Sequence, residues 1–585
     1  MKMKRMMRRR EFLLSSVRYL GAGAAALAVS PSWNSACAAA PNSAPSSAIA
    51  LNQAGYLPSL AKVASTSLRA TSFAVRSTSH NNIVHRGTLT AQAHDAASGD
   101  TVQMADFSAL TTPGSYILEL DSRALTAPFR IAVDAYRDAL RLTMRAFYGQ
   151  RCGCSVNLGN GFEHPVCHLS AAWHASSGKS GPLKNRGGWH DAGDYGRYIV
   201  NSGISTGTLL WTWELYERVL GKLPLQIPES GGKTPDFLAE IRWNIDWMLT
   251  LQDEDGGVWH KQTSLQFAPF VMPQDDTLTS YVIGTGSPPY KSTCASANFA
   301  AVMAIAARCY STFDATFAQS CLAAARKAWT WCSRNPNVIF RNPPDVGTGD
   351  YAEDDCNDEV FWASAELWRT TGDAEYEKAF AAGAAKPDSI QITAPTWSAV
   401  SSLAYWTYAL SSRKDAVGLR SAIQQATGHA AEALVANSNS NGYENTLIAT
   451  DYVWGSNGVA ANHALLLFIA NQFHANKSFV DAALNNLHYL TGRNCFGISW
   501  VTQLGARPFQ HPHHRPSIAD HLDQPWPGLL SGGPNAHPVD AVAKALPPGP
   551  PMRMYIDDHA AYSVNEVAIN WNAPLVFLLA AANSL

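Results

Sequence analysis

The stretch Pro113-Gly114-Ser115-Tyr116-Ile117-Leu118-Glu119-Leu120 leads through Phe129-Arg130-Ile131 to Asp134-Ala135-Tyr136-Arg137-Asp138-Ala139-Leu140-Arg141-Leu142-Thr143-Met144-Arg145-Ala146-Phe147, and its period changes on the way. Tyr116, Leu118 and Leu120 share one face after a Pro-Gly turn, and Phe129 and Ile131 alternate likewise, which predicts strands. Tyr136, Leu140, Met144 and Phe147 are instead spaced for one face of a helix. The short alternating pattern extends back to about residue 48, so a small immunoglobulin-like β-sandwich is expected over 48–132 and a helical domain over 133–585.

Downstream, Thr234-Pro235 reads as the N-cap and first-turn proline of a helix whose buried side is Leu238, Ile241, Ile245, Met248 and Leu249. Helical period also marks 197–219, Phe299/Val302/Met303/Ala306, 359–369 closing near Gly372, 464–473, 479–490 and 567–582. No unit recurs at a fixed period, which argues against a solenoid of literal repeats. A mainly α protein with its helices stacked as a closed double ring fits these lengths. The loops, rich in Gly, Pro, His and Asp, would then form a site at one end.

Composition narrows the classes of function. Of 585 residues, 46% are hydrophobic and 15% charged, which excludes a disordered polyelectrolyte. Lys plus Arg number 44 against 46 Asp plus Glu, so no basic field exists to hold a phosphate backbone, and no nucleic-acid partner is expected. The 18 Trp, 20 Tyr and 21 Phe suit packing between large helices and also the lining of a sugar groove.

The N-terminus reads as an address. Lys2, Lys4, Arg5 and Arg8 precede Arg9-Arg10-Glu11-Phe12-Leu13, a twin-arginine pattern, and the apolar stretch 19–29 is too short to span a bilayer. A signal peptide over 1–40, cleaved after a small-residue site such as Ala36-Cys37-Ala38 or Ala38-Ala39-Ala40, and a linker over 41–47 are expected. The product is then periplasmic or secreted, free of the membrane, and by default a monomer. A lipid anchor on Cys37 fits poorly because Asn34 stands where an apolar residue is needed. Loss of Cys37 leaves nine of ten cysteines, an odd number that excludes a fully paired disulfide framework. Cys309 and Cys321 lie in Ala-rich helical patterns and read as buried small hydrophobes.

Three constellations carry chemistry. In Gly187-Gly188-Trp189-His190-Asp191-Ala192-Gly193-Asp194-Tyr195-Gly196-Arg197-Tyr198, two carboxylates three residues apart can jointly hold a water that one of them deprotonates. In Tyr555-Ile556-Asp557 through Tyr562 to Asn572-Ala573-Pro574, Glu566 opens an otherwise apolar terminal helix, as a dipole-capping residue or, among apolar walls, as a general acid of raised pKa. Arg507-Pro508-Phe509-Gln510-His511-Pro512-His513-His514-Arg515 suits a metal site, a clamp on sugar hydroxyls or a solvated loop. Separately, Cys152, Cys167, His168 and His190 offer two thiolates and two imidazoles, a closed tetrahedral zinc set for which Cys154 competes. The acidic run Glu353-Asp354-Asp355-Cys356-Asn357-Asp358-Glu359 heads a helix and suits a hard cation such as calcium, or simply the helix N-terminus.

Together these stretches resemble glycoside hydrolase family 9, the cellulase family, in its subgroup with an N-terminal immunoglobulin-like domain. The resemblance also runs through Leu51-Asn52-Gln53-Ala54-Gly55-Tyr56-Leu57-Pro58, Phe147-Tyr148-Gly149-Gln150-Arg151-Cys152-Gly153, Tyr452-Val453-Trp454-Gly455-Ser456-Asn457 and Gly532-Gly533-Pro534-Asn535. It implies an (α/α)6 barrel that hydrolyses β-1,4-glucosidic bonds of cellulose-type glucans or cello-oligosaccharides with inversion. Asp194 would be the general base, Asp191 its partner in holding water, and Glu566 the general acid. His513, Arg515, Trp454, His260 and Tyr562 would bind substrate. It further implies structural zinc at the Cys/His set and calcium at Asp358 and Glu359, although no carboxylate stands near Thr396-Trp397-Ser398-Ala399, where relatives supply a further ligand. The expected activity is an endoglucanase. An exo-acting glucanase, glucosidase or glucosaminidase, and a non-catalytic sugar-binding barrel, are the alternatives. A closed four-ligand zinc site leaves no position for a catalytic water, which argues against a zinc hydrolase. No cellulose-binding module is recognised after the last helix, so soluble or amorphous chains are the expected substrates.

Overall fold

The computed structural model describes residues 49–121 and 123–585. The twin-arginine pattern, the cleavage sites and Cys37 lie outside the described residues. None of the described helices is long and apolar enough to cross a membrane.

The N-terminal part is a two-sheet sandwich. β1 (Val63–Thr66), β5 (Thr101–Asp106) and β4 (Ala93–His94) form one sheet in the order β1-β5-β4. The other runs β3 (Ile83–Thr88), β2 (Ser72–Ser77), β6 (Gly114–Leu120), β7 (Phe129–Ile131). The alternation in β6 and β7 aims Tyr116, Leu118, Leu120, Phe129 and Ile131 into a core shared with Tyr56, Phe73, Val75 and Phe107. One end of the sandwich is stitched to the helical part. The Asn52 side chain meets His488 Nδ1 at 2.8 Å and accepts from Thr491 Oγ1 at 2.7 Å, and Gln53 Oε1 accepts from Arg507 N at 2.8 Å.

Twelve helices of ten residues or more follow. They are α1 (Arg137–Gly149), α2 (Ile199–Leu220), α3 (Asp236–Thr250), α4 (Thr293–Tyr310), α5 (Ala315–Arg334), α6 (Asn357–Thr371), α7 (Ala374–Gly383), α8 (Ser401–Leu410), α9 (Arg420–Ser440), α10 (Ser456–Phe473), α11 (Lys477–Leu490) and α12 (Ile569–Asn583). The even-numbered helices are the inner ring: α4 packs on α2 and α6, α6 on α8, and α12 on both α10 and α2, closing the circle. Sequence decides the layer. α4 and α12 are apolar or small almost all round and are buried on every side, whereas α1, α5 and α11 bury one stripe only. This is the (α/α)6 barrel that the resemblance implied.

Local signals hold with small shifts. α3 begins at Asp236 with Pro235 just outside, and α6 ends where Gly372 takes a left-handed φ of 79° and its N–H caps Trp368 O. After a short antiparallel pair, β8 (Val156–Asn157) with β9 (Glu163–His164), comes a five-stranded sheet that was not anticipated, in the order β11 (Pro182–Leu183), β10 (Ala172–His174), β14 (Tyr281–Ile283), β13 (Lys261–Thr263), β12 (Arg197–Tyr198). Its strands β12, β13 and β14 stand at the mouth of the ring.

Because outer helices return the chain, the six inner helices run the same way, and the loops that feed their N-termini share one end of the barrel. Toward the other end, Arg308 of α4 joins Glu214 of α2 (2.8 Å) to Glu366 of α6 (2.7 Å), and Glu366 also accepts from Trp211 Nε1 and Thr407 Oγ1. Deleting the cation leaves the fully buried Glu366 without a counter-charge and Glu214 with Arg369 alone, at 3.5 Å. Arg308→Ala is therefore expected to lower unfolding free energy by about 3–5 kcal/mol in urea titrations at neutral pH, and a loss under about 1 kcal/mol would contradict this role.

Candidate active site

The turn 187–198 precedes α2 and is held from three directions. Arg151 and Trp189 form an antiparallel bridge, with His190 N donating to Gln150 O at 2.7 Å and Cys152 N to Gly188 O at 2.9 Å. Gln150 Nε2 donates to Ala192 O at 2.8 Å. From the far end of the chain, Ile569 N at the start of α12 donates to Asp191 O at 2.9 Å, and Arg515 N donates to Gly193 O at 3.2 Å. Gly193 lies so close to the His513 carbonyl that a Cβ there would collide with backbone, which is why no side chain is tolerated at this position.

Asp191 is buried, with Oδ1 accepting from Asn201 Nδ2 (2.8 Å) and Oδ2 from the Tyr351 hydroxyl (2.5 Å). Burial, and then the charge of Asp194, push its carboxyl up to about 8. Asp194 Oδ2 accepts from Gly196 N (3.0 Å) and from the Tyr198 hydroxyl (3.1 Å). Burial and the neighbouring Asp194 hold the Tyr198 phenol well above its ordinary range, so it remains a donor. Beneath Tyr198, the Lys261 ammonium is anchored to Asn342 Oδ1 (2.7 Å) and Gly349 O (2.6 Å), and desolvation lowers its pKa to about 7.

Glu566 does not open the last helix. It is extended, between a short helix (Tyr562–Asn565) and α12, so it is no dipole cap. A parallel bridge to His513 and the bond from Gly532 N to Glu566 O (2.7 Å) fix its backbone. Crowding by the protein, and then the charges of Asp194 and Asp191, hold its carboxyl well above the ordinary glutamic range, with the Trp454 indole acting in the opposite direction. The three expected carboxyls therefore meet at one end of the ring, and they are close enough to bias one another's protons.

The other anticipated residues are placed as follows. His513 Nδ1 donates to His559 O at 2.6 Å, which turns Nε2 into the free acceptor, and burial lowers the ring's pKa. Trp454 is 37% exposed, not core, and its ring is 5.5 Å from Tyr562, which is 5.7 Å from His513. Arg515 is buried and gives Nη1 to Gly193 O (2.7 Å) and Nε to Ala268 O (2.8 Å), so much of its donor capacity holds backbone. His260 is 1% exposed, stacked on Phe340, with Nδ1 against Ser292 Oγ and Nε2 against Asp350 O. Both its ring nitrogens have protein partners. Tyr198, Asn201, Lys261 and Tyr351 were missed. Tyr198 sits inside the quoted motif, four residues after Asp194. Asn201 follows on the first turn of α2, whereas Lys261 on β13 and Tyr351 on a loop arrive from far along the chain and carry no local signal.

Cys152, Cys167, His168 and His190 converge with their ligand atoms within 4.8 Å of one another. His168 Nε2 donates to Asp276 at 3.3 Å, leaving Nδ1 buried without a partner, and His190 Nε2 is likewise unpartnered. Orphaned imidazole lone pairs facing two thiols are what a metal ion satisfies. Cys154 lies outside the cluster. In the His-rich stretch, His511 faces Asp557, and His514 is buried against Gln150 and caps Ser517. Cys294 and Cys356 form a disulfide, and the remaining described cysteines, Cys309 and Cys321 among them, are free.

The chain is similar to Endoglucanase D of Acetivibrio thermocellus, 36% identical over 542 residues, covering 91% of this chain and 83% of the relative. It is also similar to the xyloglucan-specific endo-beta-1,4-glucanase BoGH9A of Bacteroides ovatus, at 33% identity and coverage of 94% and 96%. Among solved structures, a Zn-binding triple mutant of the family 9 endoglucanase J30 superposes with a TM-score of 0.84 at 34% identity, covering 90% of this chain and 99% of that one. The model of a cellulase N-terminal ig-like domain matches residues 44–124. With residues 136–579, which hold every carboxyl described above, matching the model of glycosyl hydrolase family 9, the chain belongs to that family.

Proposed function

We propose that this protein is an inverting endoglucanase that cleaves β-1,4-glucosidic bonds, with Asp194 as general base and Glu566 as general acid. The observation that carries the reading is the contrast between the two carboxyls. Asp194 accepts hydrogen bonds from Gly196 N and the Tyr198 hydroxyl, whereas burial, and then the charges of Asp194 and Asp191, hold the Glu566 carboxyl well above the ordinary glutamic range. Inversion needs such a pair on opposite sides of the bond, roughly 6.5–9.5 Å apart, with a water between base and sugar. Asp191, pinned by Asn201 and Tyr351, would orient that water with Asp194. Trp454, Tyr562 and the free Nε2 of His513 line the substrate side, and Arg515 acts mainly by holding the turn. The relatives' glucan substrates support β-1,4-glucan as the substrate class.

The Cys/His cluster is proposed to hold structural zinc through Cys152, Cys167, His168 Nδ1 and His190 Nε2. Such an ion contributes on the order of 10 kcal/mol to folding and, one residue from Asp191, would fix the turn without touching substrate. Calcium at Asp358 and Glu359 is supported by Glu359, buried with both carboxylate oxygens unpartnered. Asp358, however, already accepts from Val400 N at 2.9 Å. The domain limits at 40, 47 and 132 and twin-arginine export to the periplasm or medium complete the proposal.

Two outcomes test it. Glu566→Gln is expected to lose about 10²–10⁴-fold in kcat on cellohexaose, but far less on a cellobioside with a dinitrophenol leaving group, which needs no proton. Asp194→Asn should lose activity on both. Because Glu566 acts protonated and its pKa is raised, wild-type kcat/KM should persist above the ordinary glutamic range and fall only as pH rises past that raised value. This alkaline limb should vanish in Glu566→Gln with the activated substrate, and its survival there would rule out Glu566 as the acid. Independently, Cys152→Ser should lose bound zinc by elemental analysis and melt at lower temperature, whereas Cys154→Ser should keep both. The reverse pattern would overturn the ligand set.

A further inference from the structure

Trp454, Tyr562, His513 and Phe270 follow one another with ring centroids 5.5, 5.7 and 5.2 Å apart. The first three lie beside Glu566. Phe270 carries the run outward onto the loop between β13 and β14, and there His559 meets its edge at 6.1 Å. Phe267, three residues earlier, shares a cation with it: the Arg515 guanidinium lies 5.8 Å from the Phe267 ring and 5.4 Å from the Phe270 ring. Both phenyl rings are open to solvent, at 48% and 40% exposure.

A single exposed apolar side chain is ordinary, but two flat rings on a loop clamped beside a cleft are not. The loop beneath them is tied at three points: Arg515 Nε to Ala268 O (2.8 Å), the Tyr195 hydroxyl to Val271 O (2.5 Å), and Asp276 to His168 (3.3 Å). The rings are thus held in place before any ligand arrives, so little conformational entropy remains to be lost on binding. His559 supplies a polar edge, and the buried Arg515 guanidinium sits against both rings. A β-linked glucosyl ring matches this surface, since it shows C–H groups on its faces and hydroxyls at its edge.

We propose that Phe267 and Phe270 form a sugar-stacking subsite on the His513/Arg515 flank, taking a glucosyl residue of the bound chain beyond those beside the scissile bond. The inference rests on the glucan reading above. It makes the loop 264–280 a determinant of how long a chain the cleft prefers.

The test uses full-length protein carrying Glu566→Gln, so that substrate binds without turnover, and titrates cellobiose through cellohexaose by calorimetry. Adding Phe267→Ala and Phe270→Ala together is expected to weaken cellohexaose binding about tenfold, the scale of a lost aromatic stack, with a loss that grows with chain length. Replacing both phenylalanines by tyrosine should restore affinity, which a merely packing role would not require. Melting temperature and zinc content report whether the alanine variant is folded, and if it is not, single-ring variants are read in the same way. Equal affinities at every length in folded variants, or an equal loss at all lengths, overturn the subsite while leaving the glucanase reading intact. If the parent binds no cello-oligosaccharide and the wild type hydrolyses none, the glucanase reading fails and the subsite fails with it.

Discussion

The hydrogen bond from Ile569 N to Asp191 O closes the molecule. It joins the first residues of the last inner helix to the turn that feeds the first inner helix, and it satisfies a helix N–H that would otherwise have no partner. Arg515 N and Nη1, both on Gly193 O, reinforce the seam from the intervening loop. Residues far apart in sequence thereby become neighbours, and Asp191, Asp194 and Glu566 share one low-dielectric space. Gly193 permits this because its neighbour, the His513 carbonyl, occupies the place of a Cβ. A barrel that closed without this seam would keep its core and lose the relation between Asp194 and Glu566.

Electrostatics follows from that proximity. Three carboxyls with little water around them cannot all ionise, and the surroundings decide which protons stay. Gly196 N and the Tyr198 hydroxyl donate to Asp194, while burial and the negative neighbours of Glu566 favour its proton. The inner-helix N-termini all face this end, and their partial positive charge favours keeping one anion there. The Cys/His cluster serves the same turn from behind, where bridge partners Arg151 and Trp189 bring Cys152 and His190 together. Chemistry and folding are thus coupled across one residue, from His190 to Asp191.

Much of this was legible in the sequence, because some signals are local. The change from period 2 to period 3.6 after Ile131 marks the passage from sandwich to barrel, and Asp191 and Asp194 sit in one short turn. Cys152, Cys167, His168 and His190 could be grouped by residue type. Other features depend on tertiary placement. Tyr351, on the loop before α6, and Lys261, on strand β13, reach the site from far along the chain, and nothing near them in sequence announces it. His260 has the right chemistry for a sugar contact, yet it is turned inward onto Phe340. An odd cysteine count told that some thiols stay free and could not tell that Cys294 pairs with Cys356. Glu566 stands in a backbone state its sequence did not signal, extended rather than helical.

The central claim is that base and acid stand on opposite sides of the scissile bond with room for water between them. Proton NMR of cellohexaose hydrolysis, recorded before the products mutarotate, reads this directly. The account predicts that the newly formed reducing end appears first as the α-anomer, from bonds inside the chain. Products appearing first as the β-anomer would contradict it, since retention requires a covalent glycosyl-enzyme intermediate rather than direct attack by water.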